Sequence, residues 1–189
     1  HFQRGNKIFV EGSSSRTVWI VKEGRVHLEK DHSNGKVSTL CVRAEGDLLC
    51  CLPALDRQIY SATAIAKEPT KLIGIPSEVF SELMAQYPEL SRRVVAMLCQ
   101  CIRHVEETAW SRAYESAENR VVKVLLMMEK KFGPEIPLTR QEIAELCGLT
   151  VETVIRITSR LKKKKLLSSN GKNSLRVDAK RLHAHLESL

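Results

Sequence analysis

Glu152 and Arg156 stand four residues apart in the run Val151-Glu152-Thr153-Val154-Ile155-Arg156, and both side chains can read a base edge. Arginine donates two parallel hydrogen bonds to O6 and N7 of guanine, and glutamate accepts from the N4 amine of cytosine. The same spacing also makes an ordinary surface ion pair on any helix. Further on, Lys162-Lys163-Lys164-Lys165 places four cations in a row. They suit either the C-terminal end of a helix dipole or the phosphates of a duplex. The element that carries these residues decides between the readings.

That element is predicted to be a pair of short helices around a tight turn. Thr139-Arg140-Gln141-Glu142 is a capping box, with Thr139 as cap and Glu142 three residues on. The helix it opens runs to Cys147 and turns Ile143, Ala144 and Leu146 inward. Gly148 permits the sharp turn of a helix-turn-helix. Thr150 caps the second helix, with Thr153 where a capping-box acid would stand, and Val154, Ile157 and Leu161 form its inward stripe. Val151, Glu152, Ile155 and Arg156 are left near the N-terminal end of the exposed face, the end that enters a major groove. Arg140, Arg160, Lys163 and Lys164 are candidate contacts around it. Leu166-Leu167-Ser168 and Ser174-Leu175-Arg176-Val177 flank Asn170-Gly171, a hairpin signal. They predict a two-stranded wing with Lys172 near its tip as a phosphate contact.

Charge agrees with this placement. From Glu118 to Leu189 the chain holds 15 Lys and Arg against 8 Asp and Glu, a net +7, whereas the first 117 residues carry +1. Charge gathered at one end points to a polyanion partner for that end. Aromatic residues make up 5%, too few for the stacking platforms that bind single strands. Double-stranded DNA is the expected partner.

Upstream the periodicity differs. Gly5-Asn6, Glu11-Gly12, Glu23-Gly24, Asn34-Gly35 and Glu45-Gly46 recur between runs of β-formers such as Val18-Trp19-Ile20-Val21 and Val37 to Val42. This is a sandwich or barrel rhythm, and it predicts an all-β region to about residue 77. Ser77 is the expected cap of a short helix from Glu78 to Gln86. A long helix follows, Pro88 to Tyr114, on which Val95, Leu98, Ile102, Val105 and Ala109 repeat at spacings of three and four. Such a seam either packs on the β-region or pairs two copies of the chain; its length and regularity favour a homodimer. Ser116-Ala117 reads as a hinge, and Glu118 to Lys131 as a helix stopped by Phe132-Gly133-Pro134. The expected fold is α+β. Its parts are a β-region over 1–87, a dimerisation helix over 88–115 and a winged helix-turn-helix over 118–189.

No set of acid, base and nucleophile converges in the sequence, so an enzyme is not expected. No apolar run is long enough to span a bilayer. Cys41, Cys50, Cys51, Cys99, Cys101 and Cys147 show no zinc-ribbon or CxxC spacing; they read as the reduced thiols of a cytoplasmic protein.

The run Leu138 to Ala144, then Gly148 to Val154 and Arg156, resembles the helix-turn-helix of the CRP/FNR family. These are the regulators related to the cyclic-AMP receptor protein and the fumarate–nitrate reduction regulator. Val151-Glu152-Thr153 followed by Arg156 is closer to the fumarate–nitrate branch. Gly5 to Gly12, Val18 to Val21 with Gly24, and Gly46-Asp47-Leu48 resemble the cyclic-nucleotide-binding β-roll, a double-stranded β-helix. The resemblance covers nearly the whole chain. It implies a homodimeric transcription regulator on palindromic TGA/TCA half-sites, with RNA polymerase as a further partner for an activator.

Departures from the family matter as much. Ile155 stands where the fumarate–nitrate branch has serine, so the outer half-site base need not be the one that branch reads. The nucleotide-binding members have a Gly-Glu pair and an Arg-Ser pair where this chain has Cys50-Cys51 and Tyr60-Ser61. Losing the arginine removes the bidentate partner of a cyclic phosphate, so cyclic AMP is not expected to bind. The N-terminal cysteines that hold an iron–sulfur cluster in the fumarate–nitrate branch are not in the sequence, though a segment ahead of His1 could carry them. Two readings of the effector region stay open. Cys41, Cys50, Cys51, Cys99 and Cys101 could sense oxidant or metal, with haem on His27 or His104 as a variant, or the cysteines are small buried hydrophobes. Cys147 reads as packing.

Overall fold

The computed structural model describes residues 1–33, 35, 37–49, 51–169 and 174–188, with no side-chain description at Cys51, Pro53 and Ala54. Cys50, Lys172, Asn34, the Asn170-Gly171 turn and the Cys51 side chain therefore lie outside the described residues. The chain forms two compact units that divide between Ile102 and Arg103. The division falls inside the long helix.

In the first unit the turn-and-strand rhythm gives β1 (Lys7–Phe9), β2 (Thr17–Glu23), β3 (Val26–Asp31), β4 (Val37–Arg43), β5 (Leu48–Leu49), β6 (Thr63–Ala66) and β7 (Lys71–Pro76). They pair as one sheet of order β1-β6-β3-β4 and another of order β5-β2-β7. Side-chain alternation sets the layers. Val21 on β2 joins Phe9, Val26, Leu28, Leu49, Tyr60 and Ala64 in a core that draws on both sheets, with Trp19 packed against it. Val18, on the opposite face of β2, packs with Phe80 and Val94. Those two residues come from α2 (Ser77–Gln86) and α3 (Pro88–Tyr114). β2 is thus covered on both faces, and each fully buried Val contributes roughly 1.5–3 kcal/mol. Gly24 has φ +94°, and a Cβ there would lie 2.6 Å from Thr70 Oγ1, so the β2–β3 turn needs glycine.

Two expectations for this unit are corrected. The region is not all-β: α1 (Cys51–Asp56) sits between β5 and β6. Pro53 lies in its first turn, where the missing N–H costs nothing. Ser77 is the first residue of α2 and not its cap; the cap position belongs to Pro76, with no side-chain bond. The Ser77 N–H is already taken by the Arg16 carbonyl at 3.0 Å, as a continuation of the β2–β7 pairing.

The second unit contains α4 (Ala117–Phe132), β8 (Glu135–Ile136), α5 (Arg140–Cys147), α6 (Val151–Lys163), β9 (Leu167–Ser169), β10 (Leu175–Val177) and α7 (Ala179–Glu187). Ser116, in the segment that reads as a hinge, is the N-cap of α4, its hydroxyl accepting from the Asn119 N–H. Gly133, at φ 79°, ends that helix. The wing has a third strand: β8 pairs with β10, giving the order β8-β10-β9. Val121, Val122 and Leu125 of α4, Ile136, Leu138, Ile143, Leu161, Leu175 and Leu182 are buried as its core.

Candidate nucleic-acid interface

The local signals around α5 and α6 all form. Thr139 Oγ1 accepts from the Glu142 N–H at 3.2 Å, and Glu142 Oε2 accepts from the Thr139 N–H at 2.7 Å, closing the capping box. Gly148 takes the left-handed conformation at the end of α5, φ 62°. Thr150 caps α6 through the Thr153 N–H, and the two threonine hydroxyls lie 3.1 Å apart. Val154, Ile157 and Leu161 are buried as the inward stripe. The Thr158 hydroxyl joins that face by donating back to the Val154 carbonyl at 2.8 Å.

Glu152, Ile155 and Arg156 are exposed on the opposite side, with Val151 and Thr153 half-buried beside them. Glu152 and Arg156 do not pair with each other, and neither has a hydrogen-bond or ion-pair partner among the described residues. The bland interpretation of their spacing, a helix-surface salt bridge, is therefore not the state of the molecule. Both keep their polar atoms for a partner.

The cationic surround is less uniform than its sequence. Lys163, Lys164 and Lys165 are exposed at the end of α6, with Lys165 at φ 56°. Lys162 is half-buried and bonds the Ser169 hydroxyl on β9, tying α6 to the wing. Burial, then the neighbouring Arg140 charge, lowers its pKa; burial alone lowers that of Arg140. Arg160 is not a free contact: its guanidinium lies 3.2 Å from Glu118 of α4. Arg176, which sequence reasoning passed over, is exposed on β10 between buried Leu175 and Val177. With Lys162, Lys165 and Asp178 it lines a cleft of about 350 Å3. The alternation of β10 was the signal that could have found it.

The described effector candidates sit in different settings. Tyr60 is buried, its ring stacked on Phe9 at 3.9 Å and its hydroxyl donating to the Thr17 carbonyl at 3.0 Å. Ser61 beside it is exposed. Tyr60, which stands where the resemblance places an arginine, is thus a phenol committed to its own backbone. Cys99 is exposed, Cys41 and Cys101 are half-buried, and Cys147 is buried. Burial pushes the Cys147 thiol up to about 12, in keeping with packing. Arg43 Nη2 lies 3.7 Å from the Cys101 sulfur. His27 is fully buried on β3 with Nδ1 3.7 Å from Glu29, and burial, then Lys67 and Arg25, lowers its pKa to about 3. His104 is exposed on α3. Among the described residues no three His, Cys, Asp or Glu side chains converge as a metal site.

On α3, Val95, Ile102 and Val105 are 54%, 59% and 65% exposed, so the seam is an open apolar stripe. Ala109, Trp110 and Tyr114 are exposed further along. Leu98 differs: it is half-buried against the Val18–Phe80–Val94 cluster of its own unit.

A capped helix-turn-helix with a basic wing, in a chain that also carries a two-sheet roll, defines a DNA-binding regulator with a separate effector-type domain. Residues 1–87 match the family model of the cyclic nucleotide-binding domain, and residues 119–184 that of the Crp-like helix-turn-helix domain. The chain belongs to the CRP/FNR family of transcription regulators. It is 29% identical to the cyclic AMP receptor protein of Thermus thermophilus over 82% of this chain and 73% of that one. It is 25% identical to the transcriptional activator protein FnrA of Stutzerimonas stutzeri over 94% and 75%. The fold matches the structure of FixK2 from Bradyrhizobium japonicum with TM-score 0.87 at 23% identity, covering 97% of this chain and 93% of that one. FnrA is a transcriptional activator, and no described helix is long and apolar enough to cross a membrane.

Proposed function

We propose that this chain regulates transcription as a homodimer that reads a palindromic TGA/TCA-type site with the N-terminal end of α6, under an effector domain whose ligand is not a cyclic nucleotide. The observation that carries the reading is the unpartnered Glu152–Arg156 pair on the exposed end of a helix whose other face is buried. Exposed donors and acceptors that have no internal partner are available to base edges without breaking a bond inside the protein. The exposed Val95–Ile102–Val105 stripe supports pairing of two copies, because an apolar row of this length is seldom left to water. Mobility shift on a duplex carrying TTGA-N6-TCAA, against the same duplex with scrambled half-sites, tests it. A preference of about a hundredfold or more is expected; equal affinity overturns it. Calorimetry with cyclic AMP and cyclic GMP tests the effector clause, and micromolar affinity for either overturns that clause.

A second reading, thiol sensing, is favoured by one contact. Arg43 places a guanidinium donor against the Cys101 sulfur, the electropositive setting in which thiols react. Burial opposes the Arg43 charge, but the Cys41 and Cys101 sulfurs and Asp47 outweigh it and raise its pKa. Cys101→Ser should blunt the loss of DNA binding on oxidant treatment, with Cys50→Ser and Cys51→Ser as the parallel arms. Equal responses in all variants overturn it. A visible spectrum of anaerobically purified protein reports haem or an iron–sulfur cluster directly.

A further inference from the structure

The first unit carries a cleft of about 640 Å3 lined by none of the described residues named above as site candidates. Its walls come from three segments held by backbone bonds. Ser14 bridges Ile59, and the Tyr60 N–H donates to the Ser13 carbonyl at 3.0 Å, tying the loop before β2 to the segment after α1. The Ser77 N–H donates to the Arg16 carbonyl at 3.0 Å, tying the same loop to the start of α2. These backbone bonds hold the three segments together.

Four side chains on these walls have no partner among the described residues. Arg16 and Arg57 both line the cleft, and neither guanidinium has a hydrogen-bond or ion-pair partner among the described residues. Arg57 projects from a left-handed backbone, φ 58°, at the end of α1. The hydroxyl oxygens of Ser15 and Ser77, also lining residues, are shielded from solvent and lack hydrogen-bond partners among the described residues. A buried hydroxyl without a partner is destabilising unless something else bonds it. The first turn of α2 lines the same cleft, and no side chain caps it, so its amides after Ser77 and its positive dipole end add to the field. Among the described lining residues one carboxylate stands against these, the exposed Glu78.

We infer that this cleft binds a phosphate-bearing anion through Arg16 and Arg57, with Ser15, Ser77 and the start of α2 completing the donor set. Two guanidinium forks, two rotatable hydroxyls and helix amides offer more donors than the two oxygens of a carboxylate can take; the three terminal oxygens of a phosphate can take them. The volume lies within the range of small-molecule pockets and leaves room for an organic group beyond the phosphate. The inference does not depend on the DNA reading.

The test is amide NMR of the full 15N-labelled chain at about 150 mM salt, titrated separately with inorganic phosphate, glycerol 3-phosphate and acetate. Saturable shifts are expected at Ser15, Arg16, Gln58, Ser77 and Glu78 with both phosphates and not with acetate. Tighter binding of the ester assigns a phosphorylated metabolite, tighter binding of the inorganic ion assigns free phosphate, and either supports the site. Arg16→Gln and Arg57→Gln should each weaken binding about tenfold, while Glu78→Gln tightens it a few-fold. The spectra themselves report whether each variant is folded. Shifts confined to α5, α6 and the wing, an equal response to acetate, or unchanged affinity in the folded double arginine variant would overturn the site.

Discussion

Arg160 Nη1 lies 3.2 Å from Glu118 Oε2, joining the outer flank of α6 to the first turn of α4. The other oxygen of Glu118 lies 2.9 Å from His185 Nε2 on α7. One half-buried carboxylate thus holds two helices against a third, and it pairs with an exposed cation that the sequence offered to DNA.

Releasing that cation should be visible in salt dependence. Glu118→Gln is expected to raise non-specific DNA affinity a few-fold at low salt and to steepen the plot of log affinity against log salt by up to about 0.9 per freed cation. In the wild-type background Arg160→Ala should cost less affinity than Lys163→Ala, whose amine is exposed at the end of the same helix. Fluorescence anisotropy across a salt series decides. An unchanged slope in Glu118→Gln would mean that Arg160 reaches no phosphate even when free.

The α3 stripe separates association from folding. Val105 is 65% exposed, so Val105→Asp should give folded monomers by sedimentation. Leu98→Asp places its charge against the Val18–Phe80–Val94 cluster and should lower the melting temperature as well, at a cost of about 2 kcal/mol or more. Wild-type protein that sediments as a monomer at micromolar concentration would remove the interface reading for Val95, Ile102, Val105 and Ala109 together.

What is legible in the sequence is what is local. The Thr139–Glu142 box, the Gly148 turn and the Val154–Ile157–Leu161 stripe depend on residues three and four apart, and each forms as expected. What is not legible is made by distant pairing. β8 is two residues long and exists because Glu135 and Ile136 find Arg176 and Leu175. The cleft of Arg16 and Arg57 comes together from three separated segments. Ser77 has the composition of a cap, but its amide is claimed by the β2–β7 ladder. Tyr60 stands out in the sequence as a replacement for arginine; that its hydroxyl is spent on Thr17 cannot be read from spacing.

His27 predicts an acid dependence of stability. Its folded-state pKa of about 3 lies below the ordinary value of 6.5, because burial first, then Lys67 and Arg25, disfavour the imidazolium. The unfolded chain therefore binds one more proton between those two pH values. Stability from this residue is complete above about pH 6.5 and falls as pH drops toward 3, by up to about 1.4 kcal/mol per pH unit. Chemical denaturation of wild type and His27→Gln between about pH 7.5 and 5 measures the difference in slope. Parallel curves would show that His27 is not buried neutral.

Arg156 is where base readout should be most visible. Its guanidinium is exposed one turn beyond Glu152 and has no partner among the described residues, so truncating it removes nothing from the fold. Arg156→Ala should leave the melting temperature unchanged and cost roughly 1–3 kcal/mol per half-site, with preference relaxed at a guanine. Two protomers on a palindrome double that loss if the half-sites act independently. Glu152→Ala should relax choice at a neighbouring C·G pair with a smaller loss of affinity, since a carboxylate near phosphates also repels them. Lys163→Ala or Lys164→Ala should instead weaken all sequences alike and flatten the salt slope by about one unit for each phosphate left without its lysine. Site selection from random duplexes with wild type and Arg156→Ala makes the comparison. If both proteins return the same motif, α6 lies on the DNA without reading it, and specificity must come from elsewhere in the winged domain.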